Sequence, residues 1–410
     1  MSAAAPANPF AAPWTIVCGG FHRDGGMDRA NGELARYLAE SGAPVHLVAY
    51  RVDEEFAALP NVRVYLAERP AGSFFLARRG LARLGRSVAA RVLADSPGAR
   101  VVVNGTNCDW QDINWIHYVH RAWRGGAASG PRWFRIKNRI GHARDVSLER
   151  RLLPQSRFLI ANSERTRRDL IKLCGVAPER VRTVYLGCEP EWRAVTAERR
   201  AAARAALGAP IDGDLVAFVG AFGHDQRKGF DTLWTAWRDL ARDSSWDATL
   251  IAAGGGRDLE RWRAIIAQAG LASRVRFLGF TRQVPEVIAA ADLLVSPVRY
   301  ESYGLNVHEA LCSGVPAIVS RAAGVAERYP AELEDLLLPD PNDSRDLAAR
   351  LLRWRSRQDA VARQVAALGA RLRAYTWRDM AAAFVAAVST APADAIGSDS
   401  AISFDKASTR

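Results

Sequence analysis

Short apolar runs, many of them β-branched, alternate along the chain with longer amphipathic stretches. In the first half, runs at 14–18, 45–49, 62–65, 101–104, 115–121, 158–161 and 181–186 predict strands. In the second half the same pattern predicts strands at 215–219, 248–252, 275–280, 292–297, 317–320 and 335–338. Helical spacing occupies 27–41, 74–94, 132–151 and 164–173, and later 343–356, 358–374 and 377–388. Runs that are apolar throughout, rather than alternating, suit strands covered on both faces, so the expected class is α/β with mainly parallel sheets. A chain of 410 residues exceeds one ordinary core and suits two. The restart of the pattern near residue 215 divides it into 1–188 and 189–375. A last helix, 376–390, is expected to cross back onto the first half. From 391 to 410 the Pro, Ala, Asp, Ser and Gly content reads as a disordered tail.

The candidate chemistry lies in the loops that follow these strands. After the run at 292–297 come Glu301, Gly304 and a helix carrying Glu309. Backbone N–H groups around Gly304, Leu305 and Asn306 are placed to take a diphosphate, because a helix N-terminus offers unpaired donors and partial positive charge. The two carboxylates repel phosphate and need another partner, for which sugar and ribose hydroxyls are suited. Arg227 and Lys228, in a strand-to-helix loop, are placed to neutralise phosphate, with a solvated loop pair as the alternative. Gly25 and Gly26 open the first helix, but the spacing fits neither GxGxxG nor a Walker loop. His117 and His120 sit at the end of a strand, where α/β proteins place ligands; an ordinary core or loop histidine is the alternative for each. Asp212 and Asp214 flank Gly213 in a turn, not a metal site.

Charge changes the picture in one half only. Residues 1–190 hold 28 basic and 17 acidic side chains, the remainder 28 and 27. An acidic partner for the first half follows: an anionic membrane surface, a phosphorylated acceptor or nucleic acid. No nucleic-acid recognition motif accompanies the charge, so nucleic acid is set aside. The segment 74–94 has two readings, a sheet-covering helix with an Arg-rich solvent side, or attachment to anionic lipid with Phe74 and Phe75 at the interface. Cys18, Cys108, Cys174, Cys188 and Cys312 show no CxxC spacing and no cluster with histidine, which predicts neither disulfides nor a metal site. The start of the chain lacks the charge and apolar core of a signal peptide, and no apolar run reaches membrane-spanning length. The expected location is cytoplasmic, or peripheral on the inner face of a membrane.

Glu301 and Glu309 form E-x7-E within Glu-Ser-Tyr-Gly-Leu-Asn-Val-His-Glu-Ala-Leu-Cys-Ser-Gly-Val-Pro, and this resembles glycosyltransferase family 4. Gly25-Gly26, Arg227-Lys228-Gly229, Phe277-Leu278-Gly279 and Ala161-Asn162-Ser163 extend the resemblance over roughly 14–388. It implies the GT-B fold, two Rossmann-like domains facing across a cleft, and a retaining, metal-independent transfer from a nucleotide-sugar. That molecule is a substrate, so no cofactor is expected. By the same resemblance Glu309 holds the ribose, Glu301 the transferred sugar, and Lys228 with Arg227 the diphosphate. Gly25 and Gly26 close over it, and Tyr303, Gly304, Leu305 and Asn306 support the donor. Leu278 and Gly279 border the base, and His120 lies near the anomeric centre. Many members carry Arg where this chain has Ala221, which shifts phosphate neutralisation onto Arg227 and Lys228. A glycan or lipid-linked acceptor in cell-envelope or polysaccharide synthesis is the leading expectation, with a soluble acceptor or a non-catalytic binding module as alternatives.

Overall fold

The computed structural model describes residues 8–69, 74–123, 125, 129–189 and 192–391. The expected tail therefore lies, from residue 392 on, outside the described residues.

Two parallel sheets carry the chain. Across the first, the strands run in the order Val62–Leu66, Val45–Ala49, Trp14–Val17, Arg100–Asn104, Ile113–Ile116, Phe158–Ala161, Val181–Thr183. Across the second they run Val275–Gly279, Thr249–Ala253, Leu215–Val219, Leu293–Ser296, Ala317–Ser320, Leu337–Leu338. The central strands are buried along their whole length, as their unbroken apolar runs require. The run at 115–121 differs from expectation: the strand is Ile113–Ile116, and His120–Ala122 turns as a 3-10 helix. The strand expected at 335–338 shrinks to Leu337–Leu338 after the 3-10 turns of Ala331–Leu336.

This order decides where a ligand can sit. Each sheet is built outward in both directions from its first strand, so neighbouring connections leave opposite faces and a crevice opens at the carboxyl ends of the strands. In the first sheet the reversal lies between Trp14–Val17 and Arg100–Asn104, above which sits the loop that ends at Gly25. In the second it lies between Leu215–Val219 and Leu293–Ser296. The loops there carry Arg227, Lys228 and Glu301.

Two crossings of the chain join the halves side by side. The backbone N–H of Cys188 donates to Tyr375 O at 3.0 Å, and a side chain at Gly187 would come within 2.4 Å of Thr376 O. Thr376 and Asp379 then form a capping box that starts the helix Trp377–Ser389. This helix returns to pack against Gly26–Glu40, with Phe384 4.8 Å from the Trp115 ring and Arg378 paired to Glu40.

Candidate active site

The helix Leu305–Cys312 begins at Gly304, whose φ of +110° a larger residue would adopt only under strain, and no side chain caps it. Its first N–H groups therefore face the crevice. Asn306 ties the helix to the sheet, donating through Nδ2 to Val219 O at 2.9 Å. From the other half, Gly26 lies against Leu305: a Cβ there would sit 3.1 Å from Leu305 Cδ2. Two helix N-termini thus meet across the cleft, and glycine permits the approach.

Glu301 lies beside this helix end. Lys228 Nζ donates to Glu301 Oε2, and Arg227 Nη1 lies 3.5 Å from the same oxygen. Burial raises the Glu301 pKa, but Lys228 and Arg227 together outweigh it and hold the carboxyl below its ordinary range. Arg227 also bonds to Tyr300 O and stacks over the Tyr118 ring of the first half. Gly229 caps the next helix, Phe230–Leu240, at φ +72°, and a Cβ there would come within 1.9 Å of Pro297 O. The glycine after Arg227-Lys228 is therefore required by the packing of two loops, independently of any ligand.

Glu309 is buried and faces the first half. Arg29 Nη1 reaches Glu309 Oε1 at 3.2 Å while its Nε lies 3.5 Å from Glu189 Oε1. Burial pushes the Glu309 carboxyl up to about 7; Arg29 draws it back and Glu189 pushes it further. Arg29 is a site residue that the sequence reading missed. The signal was available in its place on the first turns of the helix that opens at the glycine pair, but nothing in the spacing said it would face Glu309.

The two histidines part company. His120 presents Nδ1 to Glu149 Oε1 at 2.7 Å, and the same carboxylate accepts the backbone N–H groups of His120 and Arg121. Buried Glu149 thus fixes the ring at the mouth of the cleft, with Asp145 3.9 Å from its Nε2. His117 instead packs on Trp115 at 4.6 Å, and burial pushes its pKa down to about 3. It is a neutral packing residue, so of the two ligand candidates only His120 opens to the cleft. Tyr303 also turns away: its ring is buried, with the hydroxyl 2.9 Å from His308 Nδ1, leaving only its backbone near the helix end. Tyr303, expected to support the donor, is placed to do so only through its backbone. Leu278 and Gly279 end the outer strand Val275–Gly279, where Gly279 takes φ +72° and accepts from Gly254 N at 2.8 Å.

A further set of contacts holds the halves in register. Tyr300 OH accepts from Val119 N at 2.9 Å, and Ser163 Oγ donates to Ser302 O at 2.6 Å. Glu327 accepts the first N–H groups of the helix Glu164–Cys174, from Glu164 at 2.7 Å and Arg165 at 3.1 Å. The matched Asn162-Ser163 pair therefore serves the domain contact.

Between the halves lies a cleft of about 1510 Å³ lined by Tyr118, His120, Ala221, His224 and Arg227 and by the helix Arg132–Leu152. That helix brings Arg132, Arg135, Lys137 and Arg139 to the cleft, with Trp133, Ile136 and Ile140 about 60% exposed along one side. The helix Phe74–Asp95, by contrast, buries Leu81, Val88 and Val92 against the first sheet, and Arg78 and Arg86 pair with Asp145 and Asp109. Sheet covering accounts for it; the side chains of Phe74 and Phe75 lie outside the described residues. Among the described residues no helix is long and apolar enough to cross a membrane. One expectation about the cysteines is corrected: the fold brings Cys188 to Cys312 and His308, which stand four residues apart on one helix.

A family model described as Glycosyltransferase Family 4 matches residues 24–192, and one described as Glycosyl transferases group 1 matches 213–356. D-inositol 3-phosphate glycosyltransferase of Saccharomonospora viridis is 33% identical over 56% of this chain and 54% of its own length. The protein of that description in Xylanimonas cellulosilytica is 26% identical over 88% and 90%. A 2-deoxystreptamine glucosyltransferase of Streptomyces kanamyceticus is 27% identical over 53% and 56%. The chain spans about half the length of the first curated relatives it matches. Among solved structures, sucrose-phosphate synthase of Thermosynechococcus elongatus aligns with a TM-score of 0.70 at 20% identity, covering 91% of this chain and 97% of that one. WaaG, a glycosyltransferase involved in lipopolysaccharide biosynthesis, aligns at 0.68 and 19% identity, covering 91% and 99%. Anabaena HepE in complex with UDP and glucose aligns at 0.66 and 18% identity, covering 92% and 99%. Both halves are matched by glycosyltransferase models and each is built on a parallel sheet: the chain belongs to glycosyltransferase family 4 and has the GT-B fold.

Proposed function

We propose that the protein is a retaining, metal-independent glycosyltransferase that moves a sugar from a nucleotide diphosphate donor to a phosphate-bearing glycan or lipid-linked acceptor in envelope or polysaccharide synthesis. The observation that carries the reading is the cluster of Lys228, Arg227 and Glu301 beside an uncapped helix end that also bears Glu309. The diphosphate lies on the N–H groups after Gly304, and Lys228 with Arg227 meets the charge that develops on the β-phosphate as the bond to the sugar breaks. Glu301, relieved of Lys228, accepts from a hydroxyl of the sugar, and Glu309 accepts from the ribose. The acceptor hydroxyl attacks on the face from which the phosphate departs and gives its proton to that phosphate, so no side-chain nucleophile is needed. His120, held by Glu149, borders the reacting carbon. Contact between the halves excludes water and protects the donor from hydrolysis.

The basic cleft face supports an anionic acceptor, since Arg132, Arg135, Lys137 and Arg139 line it together from one helix. Exposed Trp133, Ile136 and Ile140 on the same helix favour one with a lipid tail presented at an anionic membrane surface. A second reading, a soluble phosphorylated polyol or sugar, is favoured by the description of several relatives as acting on D-inositol 3-phosphate. The test begins with thermal shifts against UDP-, GDP-, ADP- and CMP-sugars, with UDP-sugars first because HepE binds UDP and glucose. Transfer is then measured with lipid-linked and soluble phosphorylated acceptors, alongside flotation with anionic vesicles. A Glu309→Ala protein that turns over every donor as well as wild type sinks the site assignment. Transfer to soluble acceptors without vesicle binding selects the second reading.

A further inference from the structure

Along the helix Leu305–Cys312, three side chains from two distant parts of the chain converge. His308 and Cys312 stand one turn apart on Leu305–Cys312, and an i, i+4 pair presents both ligand atoms on one helix face. Cys188 comes from the linker at the first crossing between the halves, where its backbone bonds to Tyr375. One ligand atom from each lies within 4.8 Å of the other two, and all three residues are at least 98% buried.

Ordinary packing accounts poorly for one of these atoms. His308 Nδ1 is engaged by Tyr303 OH at 2.9 Å, but its Nε2 is buried with no hydrogen-bond partner among the described residues. A buried ring nitrogen without a partner costs free energy, which a bound ion or water relieves, and here two thiols lie beside it. The hydroxyl on the opposite nitrogen is the kind of outer contact that orients a ligating imidazole.

We propose that Cys188, His308 and Cys312 bind a zinc ion that fastens the inter-domain linker to the donor helix. Two sulfurs and one nitrogen are a donor set for a thiophilic d¹⁰ cation rather than for magnesium or calcium, which take oxygen. Binding releases both thiol protons, so Zn²⁺ meets two thiolates and a neutral imidazole. With a neutral water as fourth ligand the assembled site carries no net charge, which a buried site tolerates. Zinc–sulfur and zinc–nitrogen distances of about 2.3 and 2.0 Å need the side chains to draw in by roughly an ångström, within the reach of rotamer adjustment. The site is distinct from the residues proposed for sugar transfer, although His308 directly precedes Glu309; Cys312 lies at the opposite end of the helix from Gly304. Arg373 donates to Cys312 O from the segment that leads into the second crossing, so this end of the helix already meets both crossings of the chain.

The full chain, expressed in zinc-supplemented medium so that the metal loads during folding and purified in a non-chelating reductant, carries about one zinc per molecule. The Cys188→Ala/Cys312→Ala double variant retains almost none, and Cys174→Ala, a buried thiol outside the cluster, keeps it. X-ray absorption of the wild-type protein shows two sulfurs and at least one nitrogen around the metal, a readout that needs no variant to fold. Stripping the zinc with a strong chelator lowers the wild-type melting temperature. A wild-type protein free of zinc, a double variant that binds as much, or a coordination shell without sulfur overturns the proposal, whatever the outcome of the donor assays.

Discussion

Replacing Glu309 by Gln tests the electrostatics of the site through stability and binding at once. The carboxyl is buried, and burial lifts its pKa from an ordinary 4.5 to about 7, against the pull of Arg29. The folded protein therefore holds this proton more tightly than the unfolded chain does. Its contribution to stability is present below about 4.5 and is lost as pH rises toward 7, after which the loss is constant. At about 1.4 kcal/mol per unit, the shift amounts to roughly 3 kcal/mol at most, of which about 2.5 kcal/mol separates pH 5 from pH 8.5. Gln keeps the shape, can accept from Arg29 and has no proton to lose, so the variant gains on wild type as pH rises. Urea midpoints and melting temperatures at the two pH values give the difference, on the order of 5–10 °C for a domain of this size. Donor binding moves the other way. A carboxylate accepting from ribose hydroxyls is worth about 1.5–3 kcal/mol, so nucleotide affinity falls roughly 10- to 100-fold in the variant. A stability gain equal at pH 5 and pH 8.5, or an unchanged nucleotide affinity, would refute the reasoning.

Three further outcomes follow from the same contacts. Lys228→Met removes a cation positioned for the leaving phosphate and lowers kcat by about 10²–10³. Because Glu301 has its pKa depressed by Lys228, the pair stabilises the protein near neutral pH and loses that effect as pH falls through the depressed value. Urea midpoints at pH 7 and pH 3.5 should differ less in the variant than in wild type. Tyr300→Phe keeps the ring and strands the buried Val119 N–H between the halves, costing about 1–3 kcal/mol in urea unfolding. His117→Phe leaves turnover close to wild type, whereas His120→Ala lowers kcat with the fold intact by circular dichroism; the reverse ranking would exchange their assignments.

The elements were legible because parallel sheets buried on both faces leave unbroken apolar runs. The strand Ala317–Ser320 appears where its four apolar and small residues predict it, and Thr376 with Asp379 marks the last helix by its capping chemistry. The loops at the switch points were legible too, because Gly229 and Gly304 are held at positive φ and a motif with such glycines is hard to move. Contacts between residues far apart in sequence were not. Nothing near Tyr303 says that its hydroxyl turns inward to His308, and nothing near Cys188 says that residue 312 will lie against it. The two histidines near residue 120 differ only in which way the chain turns after Ile116, and that turn is set by Glu149, 29 residues further on.

The pairing of the two acids bears on how the site fills. With no donor present, each glutamate already has a cation: Lys228 for Glu301 from its own half, and Arg29 for Glu309 from the other. On the proposed reading the diphosphate competes for Lys228, and the freed Glu301 turns to a sugar hydroxyl, an exchange confined to one half. The ribose must instead share Glu309 with Arg29, and Arg29 also lies against Glu189, beside the linker. Filling the ribose position therefore alters an ion pair that spans the halves, while filling the phosphate position does not. A sugar phosphate without the nucleoside should then neutralise Lys228 yet leave Arg29 on Glu309. On that reading only the complete donor changes a contact between the halves, and a ligand can shift an equilibrium between two arrangements of the halves by no more than its differential affinity for them. If Glu309 holds the ribose as proposed, the nucleoside, the part of the donor remote from the reacting bond, is the part whose binding free energy is available to move one half against the other.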